Sequence, residues 1–220
     1  MKSNNLNDKI FSVWKPSGIL SNEIVYKIRE NYSIKAGHAG TLDPFAEGVI
    51  VVCTGNKTKE IPRLQLKKKK YTAKIKLGAI TDTLDCDGQI VFRKKIPNIS
   101  IKDVNNCLNR FVGKIMQRPP AFSALRRNNV RLYKLARQGI LINLKPREVY
   151  IDSLILKEFN KSFLIVDIVC NSGTYIRSLA RDISSSLNTY GYLDSLTRQY
   201  IGKYKRENSY SYNEILNESL

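Results

Sequence analysis

The sequence predicts an α+β fold from three observations: short β-branched runs, amphipathic helical patterns between them, and no strict alternation or internal repeat. The runs IFSVW (10–14), VIVVC (49–53), YTAKIKL (71–77) and FLIVDIVC (163–170) have the character of strands, and 71–77 alternates as a half-buried strand does. Helical patterns fill 21–30, opened by Ser21; 100–111, where Ser100 and Asp103 have capping-box spacing; and 130–138, closed by Gly139. The fourth, 174–187, is the clearest. There Ile176, Leu179, Ala180, Ile183 and Leu187 recur at helical intervals and form one core-facing stripe, flanked by Tyr175 and Arg177. One domain over 10–204 is the economical reading, between a flexible N-terminus at 1–9 and a polar C-terminal tail at 205–220, both expected to fray.

With 220 residues, 42% of them apolar, the chain is long enough to bury a real core. Lys and Arg outnumber Asp and Glu by 37 to 19, a formal net charge of +18, which calls for an acidic partner. Nucleic acid is the default partner, and a generally Lys-rich composition is the competing explanation. Cys53, Cys86, Cys107 and Cys170 lack the paired spacing of zinc sites, so no metal is expected. Three of them lie in apolar runs, as reduced, buried thiols of a cytoplasmic protein would. The opening MKSNNLNDKIF has no apolar signal core, and no run reaches the roughly 20 apolar residues of a membrane span. No membrane partner is therefore expected.

The densest unusual segment is GHAGTLDPFAEG (37–48), whose glycines and Asp-Pro step make a tight turn that presents Asp43. By residue type alone Asp43 is a turn former or a catalyst. His38, the sole histidine, excludes multi-histidine metal sites and is a structural hydrogen-bonder or an acid–base group. Lys67, Lys68, Lys69 and Lys70 run into Tyr71, as cations beside an aromatic that stacks a nucleobase, or as a solvated charge run beside a core tyrosine. TDTLDCDG (81–88) lacks EF-hand spacing and reads as a polar turn. Arg126 and Arg127 open a basic stretch that suits an RNA-facing surface or a solvated helix face. Arg177 sits near a helix N-terminus, where the dipole disfavours a cation, so it requires an anionic partner, most simply a carboxylate.

Taken together and in order, KPSG (15–18), GHAGTLDPFAEG, KKYTAKIKLGAITDTLDCDG (69–88), QRPPAFSAL with LYKLARQG, GTYIRSLARD and LTR (196–198) resemble the TruB-type tRNA pseudouridine-55 synthases over about residues 10–202. The resemblance implies a pseudouridine-synthase catalytic domain, with a mixed, mainly antiparallel sheet flanked by helices. It implies Asp43 as the catalytic carboxylate, Arg177 as its partner, and Tyr71 stacked on the target base. Tyr175 and Leu196 would line the uracil pocket, and His38 would contact the RNA and help hold the nucleotide out of its loop. Lys15 and Pro16 would support the catalytic loop. Trp14, Arg126 and Asn129 depart from the residues more usual at those places, and a PUA-type domain after the last motif is not expected.

What this implies for function is isomerisation of a uridine at position 55 in the T-loop of tRNA, by a monomer acting without guide RNA or cofactor. The rival class is a non-catalytic RNA-binding protein. A guide-dependent relative is the rival among enzymes.

Overall fold

The structure, a computed structural model, describes residues 6–123, 126, 127, 130–140, 142 and 144–217. The chain begins β1 (Ile10–Lys15), α1 (Ser21–Tyr32), β2 (Ala36–His38), β3 (Glu47–Thr54), α2 (Ile61–Gln65), β4 (Lys69–Leu77), β5 (Ala79–Thr81) and β6 (Ile90–Arg93). Next come α3 (Ile101–Asn109), β7 (Gly113–Gln117), β8 (Arg126–Arg127), β9 (Val130–Arg131), α4 (Leu132–Arg137), β10 (Arg147–Asn160) and β11 (Phe163–Cys170). It ends with α5 (Ile176–Ser186), β12 (Gly191–Ile201), β13 (Tyr204–Lys205), β14 (Ser209–Ser211) and α6 (Tyr212–Leu216). This is the α+β class expected: β1–β3, β2–β3, β5–β6, β7–β10, β8–β9, β10–β11 and β12–β13 pair antiparallel, and β1–β14 and β3–β12 pair parallel.

The elements fall into two compact units, Met1–Thr72 with Leu196–Leu220, and Ala73–Ser195. In the first, the strands lie in the order β14-β1-β3-β12, with β2 beside β3 and β13 beside β12. Its core forms because β3 is apolar along nearly its whole length, Val49 to Cys53 being fully buried, and because Ile24 and Ile28 recur on one face of α1. In the second, β4-β11-β10-β7 are neighbours. The β11 side chains alternate, burying Leu164, Val166 and Ile168, and the α5 stripe of Leu179, Ala180 and Ile183 is fully buried as its period predicts.

The expected strands and helices are all present, with boundary shifts that have physical causes. Ser100 and Asp103 form the expected capping box at α3. Ser21 is not a cap: it is the first residue of α1, and its hydroxyl bonds the main chain of Leu42 in both directions. Val130 and Arg131, expected to start a helix, pair instead with Arg126–Arg127, which shortens α4.

Residues 205–217, expected to belong to a fraying tail, form regular structure. There β14 lies parallel to β1, Phe11 meets Tyr210 edge-on at 5.7 Å, and Ser211 and Glu214 form a capping box that starts α6. Ile215 is fully buried, and Tyr212 Oη donates to Glu23 at 2.6 Å. Trp14, one of the departures, carries the Arg206 guanidinium 4.4 Å from its ring centroid, so this bulky residue meets the returning chain. Residues 1–5 and 218–220 lie outside the described residues.

Candidate active site

In the first unit, the KPSG segment is bonded onto the turn that carries Asp43. Lys15, fully buried, donates from Nζ to the carbonyls of Pro16 (2.9 Å), Ile19 (2.8 Å) and Pro44 (3.0 Å). Gly18 N donates to the same Pro44 carbonyl at 2.9 Å, and Ser17 Oγ to Phe45 O at 2.7 Å. A buried ammonium is costly unless its donors are satisfied, so these carbonyls and the lysine hold one another in place. Ser21 adds a fourth tie, donating to Leu42 O at 2.7 Å and accepting from Leu42 N at 2.9 Å. The residues on both sides of half-buried Asp43 are thereby fixed, which is the support that the resemblance implied for Lys15.

The turn is closed from its other side by β12. Gly48 pairs with Arg198 in parallel register, and a Cβ there would lie 2.3 Å from Arg198 O, so only glycine fits. Arg198, 1% exposed, donates from Nε to Val49 O (2.7 Å), from Nη1 to Thr41 O (3.3 Å) and from Nη2 to Gly40 O (3.1 Å). Leu196, two residues earlier, is buried.

His38 stands at the end of β2 with Nε2 3.1 Å from Asn22 Oδ1. Burial, and secondarily the Arg198 guanidinium, push its pKa below the ordinary value near 6.5. We expect an NMR titration of its ring to give a midpoint below that of a free imidazole; a midpoint at or above it would contradict this environment. For stability the sign follows: a depressed imidazole disfavours the protonated fold, so stability is full above about pH 6.5 and declines as pH falls below it.

Tyr71 lies in β4 and is 7% exposed. The lysine run divides by environment. Lys67 and Lys68 are exposed and Lys70 half-buried, whereas Lys69 is 7% exposed and donates to Gln65 O (2.7 Å) and Lys67 O (2.8 Å). Lys69 thus braces the turn between α2 and β4, its ammonium turned onto main-chain carbonyls.

In the second unit, Arg177 occupies the second position of α5 and is 6% exposed. Its Nη1 is 3.1 Å from Asp85 Oδ2, and it also donates to Thr83 O (3.0 Å) and Phe122 O (2.9 Å). The carboxylate supplied within this unit therefore comes from the 81–88 turn, whose shape follows from Asp85. Its Oδ1 accepts from Thr83 Oγ1 (2.5 Å) and Asp87 N (3.2 Å), and Asp82 Oδ1 accepts from Gln89 N (2.9 Å). Tyr175 is the N-cap residue of α5. Buried Gln117 grips its main chain, accepting from Tyr175 N (2.9 Å) and donating to Tyr175 O (3.1 Å), and the Arg147 guanidinium lies 5.0 Å from its ring centroid. Asp85, Gln117 and Arg147 were missed in the sequence because each acts on a residue far away in the chain. Asp85 alone had a local signal, its place in an acidic turn. Arg126 and Arg127 form β8; Asn129 lies outside the described residues.

A family model described as TruB family pseudouridylate synthase (N terminal domain) matches residues 26–176. The chain is 42% identical over 210 residues to tRNA pseudouridine synthase B of Francisella philomiragia, covering 94% of this chain and 70% of the relative. It is 38% identical over 213 residues to tRNA pseudouridine synthase B of Clostridium perfringens, covering 96% and 72%. Among solved structures, a chain of a Cbf5-Nop10-Gar1 complex superposes with a TM-score of 0.75 at 24% identity, over 96% of this chain and 54% of that one, a likeness of fold.

Proposed function

We propose, since this chain belongs to the TruB family of pseudouridylate synthases, that it isomerises the uridine at position 55 in the T-loop of tRNA to pseudouridine, with Asp43 as the catalytic carboxylate. The observation that carries the reading is the bracing of one aspartate. Lys15, Gly18 and Ser21 hold its neighbours Leu42 and Pro44, an arrangement that fixes a reacting group before substrate arrives.

The reaction breaks the bond from uracil N1 to the ribose, turns the base, and rejoins it through C5, so the base cannot remain stacked. The nucleotide is flipped out, at a cost of a few kcal/mol in lost stacking. In this reading Tyr71 stacks on the flipped base, Tyr175 and Leu196 line the uracil pocket, and His38 contacts the RNA. An ionised carboxylate attacks the substrate or removes a ribose proton, and Arg177, anchored by Asp85, supplies the cation that favours the ionised form. The C5 proton then leaves to a base or to water. There is no net redox change and no hydrolysis, so the chemistry requires no cofactor, and we propose action by a monomer without guide RNA.

The test uses tRNA tritiated at uracil C5, incubated without added metal or guide. Stoichiometric release, lost when uridine 55 alone is replaced by cytidine, is the expected result. No release from intact tRNA or the T-arm, despite tight binding, would move the reading to a non-catalytic RNA-binding protein.

Exposed Lys67 and Lys68, with half-buried Lys70, are proposed phosphate contacts, together with Arg126 and Arg127. Replacing Lys67, Lys68 and Lys70 by Gln should weaken tRNA binding and reduce the slope of log K against log salt by about 0.9 per phosphate contact removed. An unchanged slope would remove these lysines from the interface. Lys69→Gln should act instead on stability, since that ammonium is turned onto carbonyls.

A further inference from the structure

Arg198 is among the largest fully buried side chains of the protein, and the mechanism above gives it no role. Its charge is met by three backbone carbonyls, on Gly40, Thr41 and Val49. These lie on opposite arms of the turn that contains Asp43: Gly40 and Thr41 enter it, and Val49 follows it in β3. The main chain of Arg198 also pairs with Gly48 at the exit, where the two backbones come so close that no Cβ fits. The entry and exit glycines, Gly40 and Gly48, both have left-handed backbones, at φ +100° and +123°. One residue therefore grips both ends of the turn, its side chain at Gly40 and Thr41 on the entry and at Val49 on the exit, and its main chain at Gly48. Lys15 holds the middle through Pro44 O.

We propose that Arg198 is a positioning residue for the isomerisation, a clamp that sets the backbone geometry in which Asp43 meets the substrate. The inference rests on the catalytic reading of Asp43 above. The choice of arginine follows from geometry. A guanidinium is a rigid planar fork whose separate nitrogens reach carbonyls on both arms at once, while an ammonium on a flexible stem is a point donor. Without the fork, carbonyls at the turn lose their donors and the arms are free to separate, and a misplacement of about 1 Å at a reacting group costs about 100-fold in rate. The clamp has a second signature at His38. Arg198 is a charged side chain whose field acts on that ring, and the ring's hydrogen-bond partner, Asn22 on α1, is neutral.

The experiment compares wild type, Arg198→Lys and Arg198→Met. It measures single-turnover tritium release at saturating T-arm RNA, the Kd for that RNA, amide exchange over residues 40–48, and the NMR titration of His38. The expected result is a rate about 100-fold lower for Arg198→Met and about 10-fold lower for Arg198→Lys, with Kd within about threefold of wild type. The 40–48 amides should exchange faster in both variants. The His38 midpoint should rise in Arg198→Met and stay low in Arg198→Lys. An unchanged rate in Arg198→Met, or a Kd that rises in step with the rate loss, would overturn the proposal. Should Arg198→Met not fold, the lysine variant decides by the same rate, Kd and exchange criteria. Wild-type protein that releases no tritium would defeat the isomerase reading, and exchange and titration would still judge the clamp.

Discussion

Asp43→Asn protein is expected to bind the T-arm with a Kd within about threefold of wild type and to lose at least about 10⁴-fold in single-turnover tritium release, the scale on which removal of an essential reacting group is felt. The substitution is nearly isosteric. The bonds that shape the turn run through the main chain of its neighbours, from Lys15 and Gly18 to Pro44 O and from Ser21 to Leu42, so the backbone should keep its course. What is lost is the negative charge and the nucleophilic oxygen pair. Tritium release within about tenfold of wild type would remove Asp43 from the chemistry. A matching collapse of RNA binding and thermal stability would make it a structural turn residue, the other role that an Asp-Pro step suggests.

The second large effect is expected at Asp85. Asp85→Asn removes the carboxylate that the second unit supplies to buried Arg177, 3.1 Å away, and disturbs the turn that Asp85 organises through Thr83 and Asp87. Breaking a buried ion pair from one side costs about 3–5 kcal/mol, because the remaining charge stays out of water with less compensation. Chemical denaturation should show that loss, and the single-turnover rate should fall with it because α5 begins at this pair. The double variant Asp85→Asn/Arg177→Met should recover part of the stability and none of the rate. A loss below about 1 kcal/mol in the single variant, typical of exposed pairs, would show that Asp85 does not anchor Arg177.

The elements legible in the sequence were those whose pattern is local. The stripe of α5, the apolar run of β3, the alternation of β4 and the capping box of α3 each arise from side chains within one element, and all four stand where the pattern put them. The strands that escaped notice have broken patterns. In β10, register shifts at Ile151/Ser153 and Leu156/Glu158 interrupt the two-residue period, so its 14 residues read as neither strand nor helix. In β12, Gly191, Tyr192 and Leu193 are all buried in succession, and its parallel neighbour β3 is far away in the chain. The division into two units is likewise unmarked, because β4 and β12 each pass from one unit to the other with no break in composition.

By itself, then, the sequence determined the fold class, the basic character, the family and the identity of the candidate groups, Asp43, Tyr71, Tyr175 and Arg177 among them, because these depend on residue type, local period and serial motif order. Only the tertiary structure decided which partners hold those groups. Lys15 and Arg198 end on carbonyls around the Asp43 turn, Asp85 is placed on Arg177, Lys69 is turned inward, and the C-terminal residues are paired with β1. The physical reason is the same in each case. A buried charge or an unpaired strand edge must find a donor, an acceptor or a neighbour, and which one it finds depends on what the folded chain brings within about 3 Å, not on what is adjacent in sequence.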